Sequence, residues 1–395
     1  VEASGGSGTV YIREIRGRRP YRQLRFDNQG QGWSKFLTLH ENTSFVFDEV
    51  YMANKASLRL ENKNDRNVRI LKIGKLYSDG TGLLHVYPRH QVFLEAEENR
   101  RSVSKLAINL KVENDGELVM ASKTYLYGNV IALDLNGTLT GVQDLQVTRN
   151  KVVNLYNGAH TARRIGNTIL QDAPGSFKLS TITLYSGSIL TMRDETEVNL
   201  LAGFLNIKYG ASFSTHHIKI LASTVDIEIG GSLSCSGDNL ARQAAPSSDA
   251  TILATGAGAG HASNGGRGSS VRGGPYYGSL YNPILPGRRG GSSEKGIKGG
   301  DGGGCILIQT GNQVVNDGTI TVAAENAEQG SGAGGGSGGS LLIHTDIITG
   351  ERLMKKTKFT KSIRLEVIRF FCYLLFSMAT RACVGSCQPC LVDKA

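Results

Sequence analysis

The stretch LSTITLYSGSILTM (179–192) reads as a strand, a glycine turn and a second strand. Two further versions follow, FLNIKYGASFS (204–214) and VDIEIGGSLS (225–234). Their turn glycines, Gly187, Gly210 and Gly231, follow one another at nearly constant spacing, and another apolar run lies between successive turns. One period therefore holds about three short strands, which predicts one coil of a parallel β-solenoid.

Stacked coils place one side of every strand in a shared interior. Leu179, Ile182 and Leu184 are predicted to form one apolar rung, and Val225, Ile227 and Ile229 another. Parallel crossovers are overwhelmingly right-handed. We therefore predict an all-β fold, a right-handed parallel β-helix with glycine-rich loop insertions and a C-terminal tail outside the solenoid. The three turn glycines should stack along one edge.

The spacing of apolar runs and glycines divides the chain into parts. Short alternating runs in residues 1–100 predict N-terminal β-rich coils, and residues 101–255 carry the regular coils. The rhythm breaks in residues 256–304, where 18 of 49 residues are glycine, so this part is predicted to be an insertion packed on the solenoid. Residues 305–350 resume the coils with a second glycine-rich block, and residues 351–395 form a basic and apolar tail that we expect to be poorly ordered.

The charge of the chain argues against a nucleic-acid partner. The formal net charge is +10, but residues 351–395 carry nine Lys and Arg against three Asp and Glu, a net +6, which leaves +4 for residues 1–350. A membrane-spanning helix needs about 20 apolar residues. The apolar run between Arg369 and Arg381 is little more than half that long, so no span is predicted within this chain.

Signals for catalysis are weak in this sequence. A β-helix enzyme acting on acidic polysaccharides uses clustered carboxylates, whereas Asp134, Asp144, Asp226 and Glu228 are scattered over several coils. His216 and His217 are adjacent on a strand and should point to opposite faces, which does not suit one metal ion. No phosphate-binding Gly-Lys-Ser/Thr loop occurs, so no cofactor is predicted.

Three groups of residues are candidate sites for binding or modification. A basic cluster suits a sulfated glycan or another acidic partner, although a solvated edge is the more common explanation of such a cluster; it comprises Arg13, Arg16, Arg18, Arg19, Arg22 and Arg25. Cys235 and Cys305 flank the insertion, and a chain that resumes one coil higher would make them neighbours, either as a disulfide or as two buried thiols. Asn42 and Asn136 begin glycosylation sequons.

The order of these features resembles that of large glycine-rich β-helix proteins of the cell surface or extracellular space. The resemblance rests on the coils Phe177 to Leu190 and Ile218 to Gly237, on the insertion with Gly258-Ala-Gly-His261, and on Gly302 to Gly304 and Gly334 to Leu341. In that family the coils are often followed by cysteine-rich, ephrin-receptor-like repeats. The resemblance implies a structural or adhesive role and provides no catalytic residue to transfer.

We therefore expect a non-enzymatic extracellular or cell-surface scaffold or adhesion segment, whose partners are matrix or surface glycans or proteins. The chain opens Val-Glu-Ala-Ser, without an initiator methionine or signal region, and is interpreted as a fragment that lacks its signal peptide. Two alternatives stay open. One is a carbohydrate-active β-helix enzyme of the polysaccharide lyase or hydrolase type, and the other is a glycan-binding module that uses the arginine cluster.

Overall fold

The structure is a computed structural model, and it contains strands but no helix among the residues that it describes. In a few strands only the backbone is described. The described residues are 8–16, 19–27, 37–39, 45–60, 70–79, 81–86, 91–94, 104–106, 109–112, 117–119, 124–126, 130–133, 137–142, 144–156, 158–165, 168–193, 197–236, 256–268, 272–279, 282–350 and 370–371.

The strands form three sheets. The first sheet contains, in order, β1 (Gly8–Arg16), β2 (Arg19–Asp27), β4 (Phe45–Ala53), β6 (Ile70–Ser78), β8 (Gln91–Leu94), β11 (Glu117–Val119), β14 (Thr138–Thr140), β17 (His160–Ile165) and β18 (Thr168–Gln171). The second contains β3 (Leu37–Leu39), β5 (Ser57–Leu60), β7 (Leu83–Val86), β10 (Asn109–Val112), β13 (Val130–Leu133), β16 (Val152–Tyr156), β20 (Ile189–Arg193), β22 (Ser212–Thr215), β24 (Ser232–Cys235) and β26 (Thr319–Thr321). The third contains β9 (Ser104–Leu106), β12 (Thr124–Leu126), β15 (Asp144–Val147), β19 (Ser176–Leu184), β21 (Val198–Ile207), β23 (His217–Ile227), β25 (Cys305–Asn316), β27 (Ser340–His344) and β29 (Phe370–Phe371), with β28 (Ile347–Thr349) also paired to β25.

The chain visits these sheets in rotation. Strands β13, β14 and β15 lie in the second, first and third sheets, and β16, β17 and β19 repeat that order; from β19 to β27 the strands alternate between the third and second sheets. Among the described strands the pairing is parallel except in three pairs, β1 with β2, β17 with β18 and β27 with β29. The predicted all-β character with parallel strands is confirmed.

Register keeps apolar side chains aligned from strand to strand. In the second sheet Leu190 aligns with Phe213 and Phe213 with Leu233, and all three are fully buried. In the third sheet Ile182, Leu205 and Val225 align in the same way. One hydrophobic core runs from Leu24 to Ile343. A single strand buries too little apolar surface to offset the entropy of ordering it, so each strand depends on its neighbours in the sheet.

A column of turns follows the edge between the third and second sheets. Each turn closes with a hydrogen bond from its fourth residue to the carbonyl of its first, as from Ser188 N to Tyr185 O at 2.9 Å and from Ala211 N to Lys208 O at 3.0 Å. Each third residue has a positive φ, which L side chains rarely adopt. These third residues are Asn150 (φ 56°), Gly187 (70°), Gly210 (68°) and Gly230 (78°).

This column corrects the prediction for the third turn. Gly187 and Gly210 align as expected, but Gly230 rather than Gly231 continues the column, since a β-carbon at Gly230 would lie 3.6 Å from Gly210 N. Ile229 was predicted to belong to a core rung. It is instead the second residue of the turn, and 59% of its surface is exposed. Strand β23 ends at Ile227, two residues before it.

Glycine-rich segments form a second kind of packing, which we call the glycine bundle. Its segments are neither helices nor sheet strands; they comprise residues 256–260, 264–267, 272–275, 286–292, 297–304, 322–326 and 332–339. Segment 256–260 alone bonds to four others: Gly258 N donates to Gly266 O (2.9 Å), Ala259 N donates to Gly335 O (3.1 Å), and Gly258 O and Ala257 O accept from Gly274 N (2.9 Å) and Gly291 N (2.8 Å). A sheet strand has neighbours on only two sides. Segment 256–260 therefore packs among its neighbours in a way that a sheet strand cannot.

Glycine is required in this bundle because neighbouring backbones touch. A β-carbon at Gly334 would lie 2.0 Å from Ala257 O, one at Gly290 would lie 2.1 Å from Gly334 O, and one at Gly299 would lie 2.2 Å from Gly290 O. The same close approach selects glycine at the collagen axis. The second glycine-rich block, predicted as part of residues 305–350, therefore packs with the 256–304 insertion.

Two adjacent glycines test this packing. Gly334→Ala should lower the free energy of unfolding by roughly 1–3 kcal/mol or more, because its methyl group meets the Ala257 carbonyl. Gly335→Ala is the control, since nothing lies within 4 Å of a β-carbon there, and its effect should stay within about 1 kcal/mol. Urea unfolding of both variants gives the comparison. Equal effects would mean that the bundle is not packed as described.

Candidate functional site

The predicted arginine cluster lies on the hairpin of β1 and β2, at one edge of the first sheet. Its register pairs Arg13 with Arg22 and Arg16 with Arg19. Since side chains alternate along a strand, Arg13 and Arg22 share the face of buried Leu24, whereas Arg19 and Arg25 lie on the opposite face. Arg18 lies outside the described residues, and only the backbone of Arg16 is described. Of the arginines whose side chains the structure describes, Arg13 and Arg22 thus lie on one face and Arg19 and Arg25 on the other. Binding of a glycan by the cluster stays a prediction.

Arg25 instead begins a column on the outer face of three neighbouring strands. It aligns with Tyr51 on β4, which aligns with Tyr77 on β6. The Arg25 guanidinium lies 4.7 Å from the centre of the Tyr51 ring. The rings of Tyr51 and Tyr77 are stacked, with centres 4.5 Å apart and planes 12° apart. Cation–π and aromatic stacking contacts therefore hold this Arg–Tyr–Tyr column together.

A second column, formed by Gln23 and Glu49, lies beside the Arg–Tyr–Tyr column and fixes its orientation. Arg25 Nε donates to Gln23 Oε1 (2.8 Å), Gln23 Nε2 donates to Glu49 Oε2 (2.8 Å), and Tyr51 Oη donates to the same Glu49 oxygen (2.8 Å). Burial pushes the pKa of the Glu49 carboxyl up, but hydrogen bonds from Tyr21, Tyr51 and Gln23 outweigh it and leave the pKa below its ordinary value. Burial and the bond to Glu49 raise the pKa of Tyr51. Glu49 is thus held as a carboxylate that anchors both columns.

The Arg–Tyr–Tyr column borders a groove of about 440 Å³. Its lining residues are Arg25, Phe26, Asp27, Tyr51, Met52, Ala53, Tyr77, Ser78 and Asp79. The turn at Asn54 holds two of the lining carboxylates in place, because its side-chain amide donates to both carboxylate oxygens of Asp27 (2.9 and 3.0 Å) and its backbone N–H donates to Asp79 Oδ2 (2.7 Å). The groove offers aromatic surface, one guanidinium and two oriented carboxylates. We call it the tyrosine groove.

Sequence reasoning missed the tyrosine groove, although its signal is present. The step from Arg25 to Tyr51 equals the step from Tyr51 to Tyr77, and Gln23, Glu49 and Lys75 beside them repeat at the same spacing. This spacing is longer than the steps between the turn glycines Gly187, Gly210 and Gly231, from which the coil period was recognised. A search for longer periods in the N-terminal part would have aligned these residues on neighbouring strands.

The structure places Cys235 and Cys305 side by side as free, buried thiols. Cys235 Sγ lies 3.5 Å from Cys305 O, and Gly304 N donates to Cys235 O (3.1 Å). Burial, together with the charge of Glu197, raises the pKa of Cys305 to about 12, and burial raises that of Cys235 well above its usual range. As buried neutral thiols they are poor nucleophiles. The bridge is not formed here, and its formation under oxidising conditions stays a prediction.

The adjacent histidines were predicted to share a strand, but only His217 does: His216 lies in the bend between β22 and β23, and the two side chains have different partners. His216 Nδ1 lies 2.6 Å from Ser236 O, whereas His217 Nε2 lies 3.1 Å from Glu197 Oε2. Within the described part of the chain, no group of three or more His, Cys, Asp or Glu residues is arranged to hold a metal ion. The residues Asn42 and Asn136, and Asp134, lie outside the described part.

One group of carboxylates, Asp226, Glu228 and Asp317, lies at the column of turns. Burial raises the pKa of Asp226, Lys208 opposes that shift, and the charges of Glu228 and Asp317 add to it. Lys208 Nζ bonds to Glu228 Oε1 at 2.7 Å, which lowers the pKa of Glu228. Both members of this ion pair are partly exposed. The arrangement links two successive turns and is explained by local stability.

The contact between Glu197 and His217 generates a pH prediction. The hydrogen bond from His217 lowers the pKa of Glu197 in the folded chain, so its contribution to stability is present above the unfolded pKa and is lost as pH falls through the lower, folded value. Glu197→Gln should therefore cost about 1 kcal/mol or less at pH 7. The difference from the unmodified chain should shrink towards pH 3. Urea unfolding across this range measures it, and a difference that grows on acidification would contradict the assignment.

Among the described residues, none belongs to a helix that is long and apolar enough to cross a membrane. No family model, curated protein or solved structure matches the chain. The function proposed for it rests on its own residues and on their arrangement.

Proposed function

We propose that the chain is a right-handed parallel β-helix that acts as a non-enzymatic scaffold or adhesion segment outside the cell or at its surface. We further propose that it binds a glycan in the tyrosine groove. The observation that carries the second proposal is the Arg25–Tyr51–Tyr77 column, in which a constant spacing in the sequence places three binding side chains on neighbouring strands.

The chemistry of the groove suits a sugar better than a metal ion or a nucleotide. Small-molecule sites are mostly apolar and aromatic, with a few oriented polar groups. Tyr77 is 42% exposed and offers aromatic surface for the C–H face of a sugar ring. Arg25, Asp27 and Asp79 also line the groove and supply a donor group and acceptors for hydroxyl groups.

The stacked sheets support the scaffold role. Each coil contributes one position to each outer column, so a ligand with a regular repeat can contact several coils at once. The rule that parallel crossovers are right-handed supports the proposed hand of the helix. The extracellular location is supported by the resemblance of the coil and glycine pattern to surface β-helix proteins.

A glycan array probed with the intact chain tests the binding proposal. Calorimetric titration of the best ligand should show about tenfold weaker binding for Tyr77→Ala, the loss expected on removing an aromatic anchor. Tyr209→Ala is the matched control, because Tyr209 is 65% exposed on the turn column, away from the groove.

Two results would count against the proposal. One is that no glycan binds; the other is that Tyr77→Ala and Tyr209→Ala bind as the unmodified chain does. Mass spectrometry of the bound glycan separates scaffold from enzyme. The scaffold leaves the chain length of the glycan unchanged, whereas a lyase or hydrolase shortens it.

A further inference from the structure

The turns of the glycine bundle collect at one of its ends. Gly256 N donates to Ser292 O (2.9 Å), and a β-carbon at Gly256 would lie 2.1 Å from Gly332 O, so these three residues lie at one level. The hydrogen bond from Gly265 N to Gly274 O (2.8 Å) pairs segment 264–267 with segment 272–275. The ends of these two segments, at residues 267–268 and 272, lie towards the level of Gly256, Ser292 and Gly332. The bond from Ser293 N to Ile297 O (2.8 Å) closes a turn there. We call residues 267–268, 272, 293–298 and 328–332 the bundle tip.

The other end of the bundle is attached to the sheets. Gly304 N donates to Cys235 O (3.1 Å), and Ser340 Oγ on β27 donates to Leu285 O (2.6 Å). Two contacts to the ring of Tyr277 stiffen the bundle close to this attachment. His261 lies 4.9 Å from the Tyr277 ring, and the Arg288 guanidinium lies 4.1 Å from the same ring. Loops held on such a rigid frame are the usual position for binding residues.

The bundle tip is rich in exposed cations. It contains two arginines and two lysines, all exposed, against two exposed glutamates, Glu294 and Glu328; the cations are Arg267, Arg272, Lys295 and Lys298. Arginines in the body of the bundle are used differently, since Arg288 stacks on Tyr277 and Arg289 bonds to Asp301. The cations of the tip therefore face solvent while those of the body support the packing.

We propose that the bundle tip binds an acidic polysaccharide that carries sulfate or carboxylate groups. Segments 256–260 and 286–292 lie between the arginine-bearing segment 264–267 and segment 297–304, which contains Lys298. Three hydrogen-bonded steps of about 5 Å each place the two pairs of cations on the order of 10–15 Å apart. A single small anion cannot bridge this distance, whereas a polymer with regularly spaced anions can. The choice of a polysaccharide over another polyanion rests on the extracellular location proposed above.

Heparin is the probe, and three variants of the intact chain locate the site. The tip variant carries Arg267→Gln, Arg272→Gln, Lys295→Gln and Lys298→Gln. The hairpin variant changes Arg13, Arg16, Arg18 and Arg19 to Gln, and the tail variant changes Lys355, Lys356, Lys358 and Lys361 to Gln. Each variant loses four positive charges, so differences among them report position and not total charge.

The tip variant alone should lose at least tenfold in heparin affinity at about 0.15 M salt, with a shallower dependence of affinity on salt concentration. The proposal is overturned if the unmodified chain does not bind heparin, if the hairpin or tail variant loses as much as the tip variant, or if duplex DNA binds as tightly as heparin. Circular dichroism and thermal unfolding check that the tip variant stays folded. Tyr77→Ala should leave heparin binding unchanged, so failure of the groove proposal and failure of the tip proposal are distinguishable.

Discussion

Main-chain hydrogen bonds between segments far apart in sequence are the interaction on which this structure depends. In the three sheets these bonds join neighbouring strands that lie far apart in sequence, and the side chains then align into apolar columns such as Leu190, Phe213 and Leu233. In the glycine bundle the same bonds act without side chains, because the backbones approach too closely for a β-carbon. Both parts follow one requirement, that buried amide and carbonyl groups find partners.

The two kinds of packing differ in what they can display. A sheet column takes one residue from each neighbouring strand, so a column such as Arg25, Tyr51 and Tyr77 arises when the spacing of these residues in the sequence matches the register of the strands. The bundle has few side chains along its length and places them in the turns at its tip. Rings and hydroxyl groups of a ligand suit the first surface, and spaced negative charges suit the second.

The parallel strands could be predicted because their turns require a positive φ, which only glycine and a few other residues adopt easily; Gly187 and Gly210 therefore marked the repeat. Where two glycines are adjacent, at Gly230 and Gly231, composition alone could not tell which one occupies the turn. The tyrosine groove was missed because Arg25, Tyr51 and Tyr77 repeat at a longer spacing than the turn glycines Gly187 and Gly210. The glycine bundle could not be derived, since its order lies in backbone hydrogen bonds and leaves no pattern of side chains in the sequence.

The glycine amides provide the most direct test of backbone pairing as the organising interaction. Hydrogen exchange followed by mass spectrometry should show Gly258, Gly274, Gly300, Gly303 and Gly334 protected, since each donates a hydrogen bond to another segment. The predicted protection is about a thousandfold over an unstructured chain, equivalent to about 4 kcal/mol of local opening free energy. Exchange of these amides at unprotected rates, while the amides of β21 and β23 stay protected, would contradict the account.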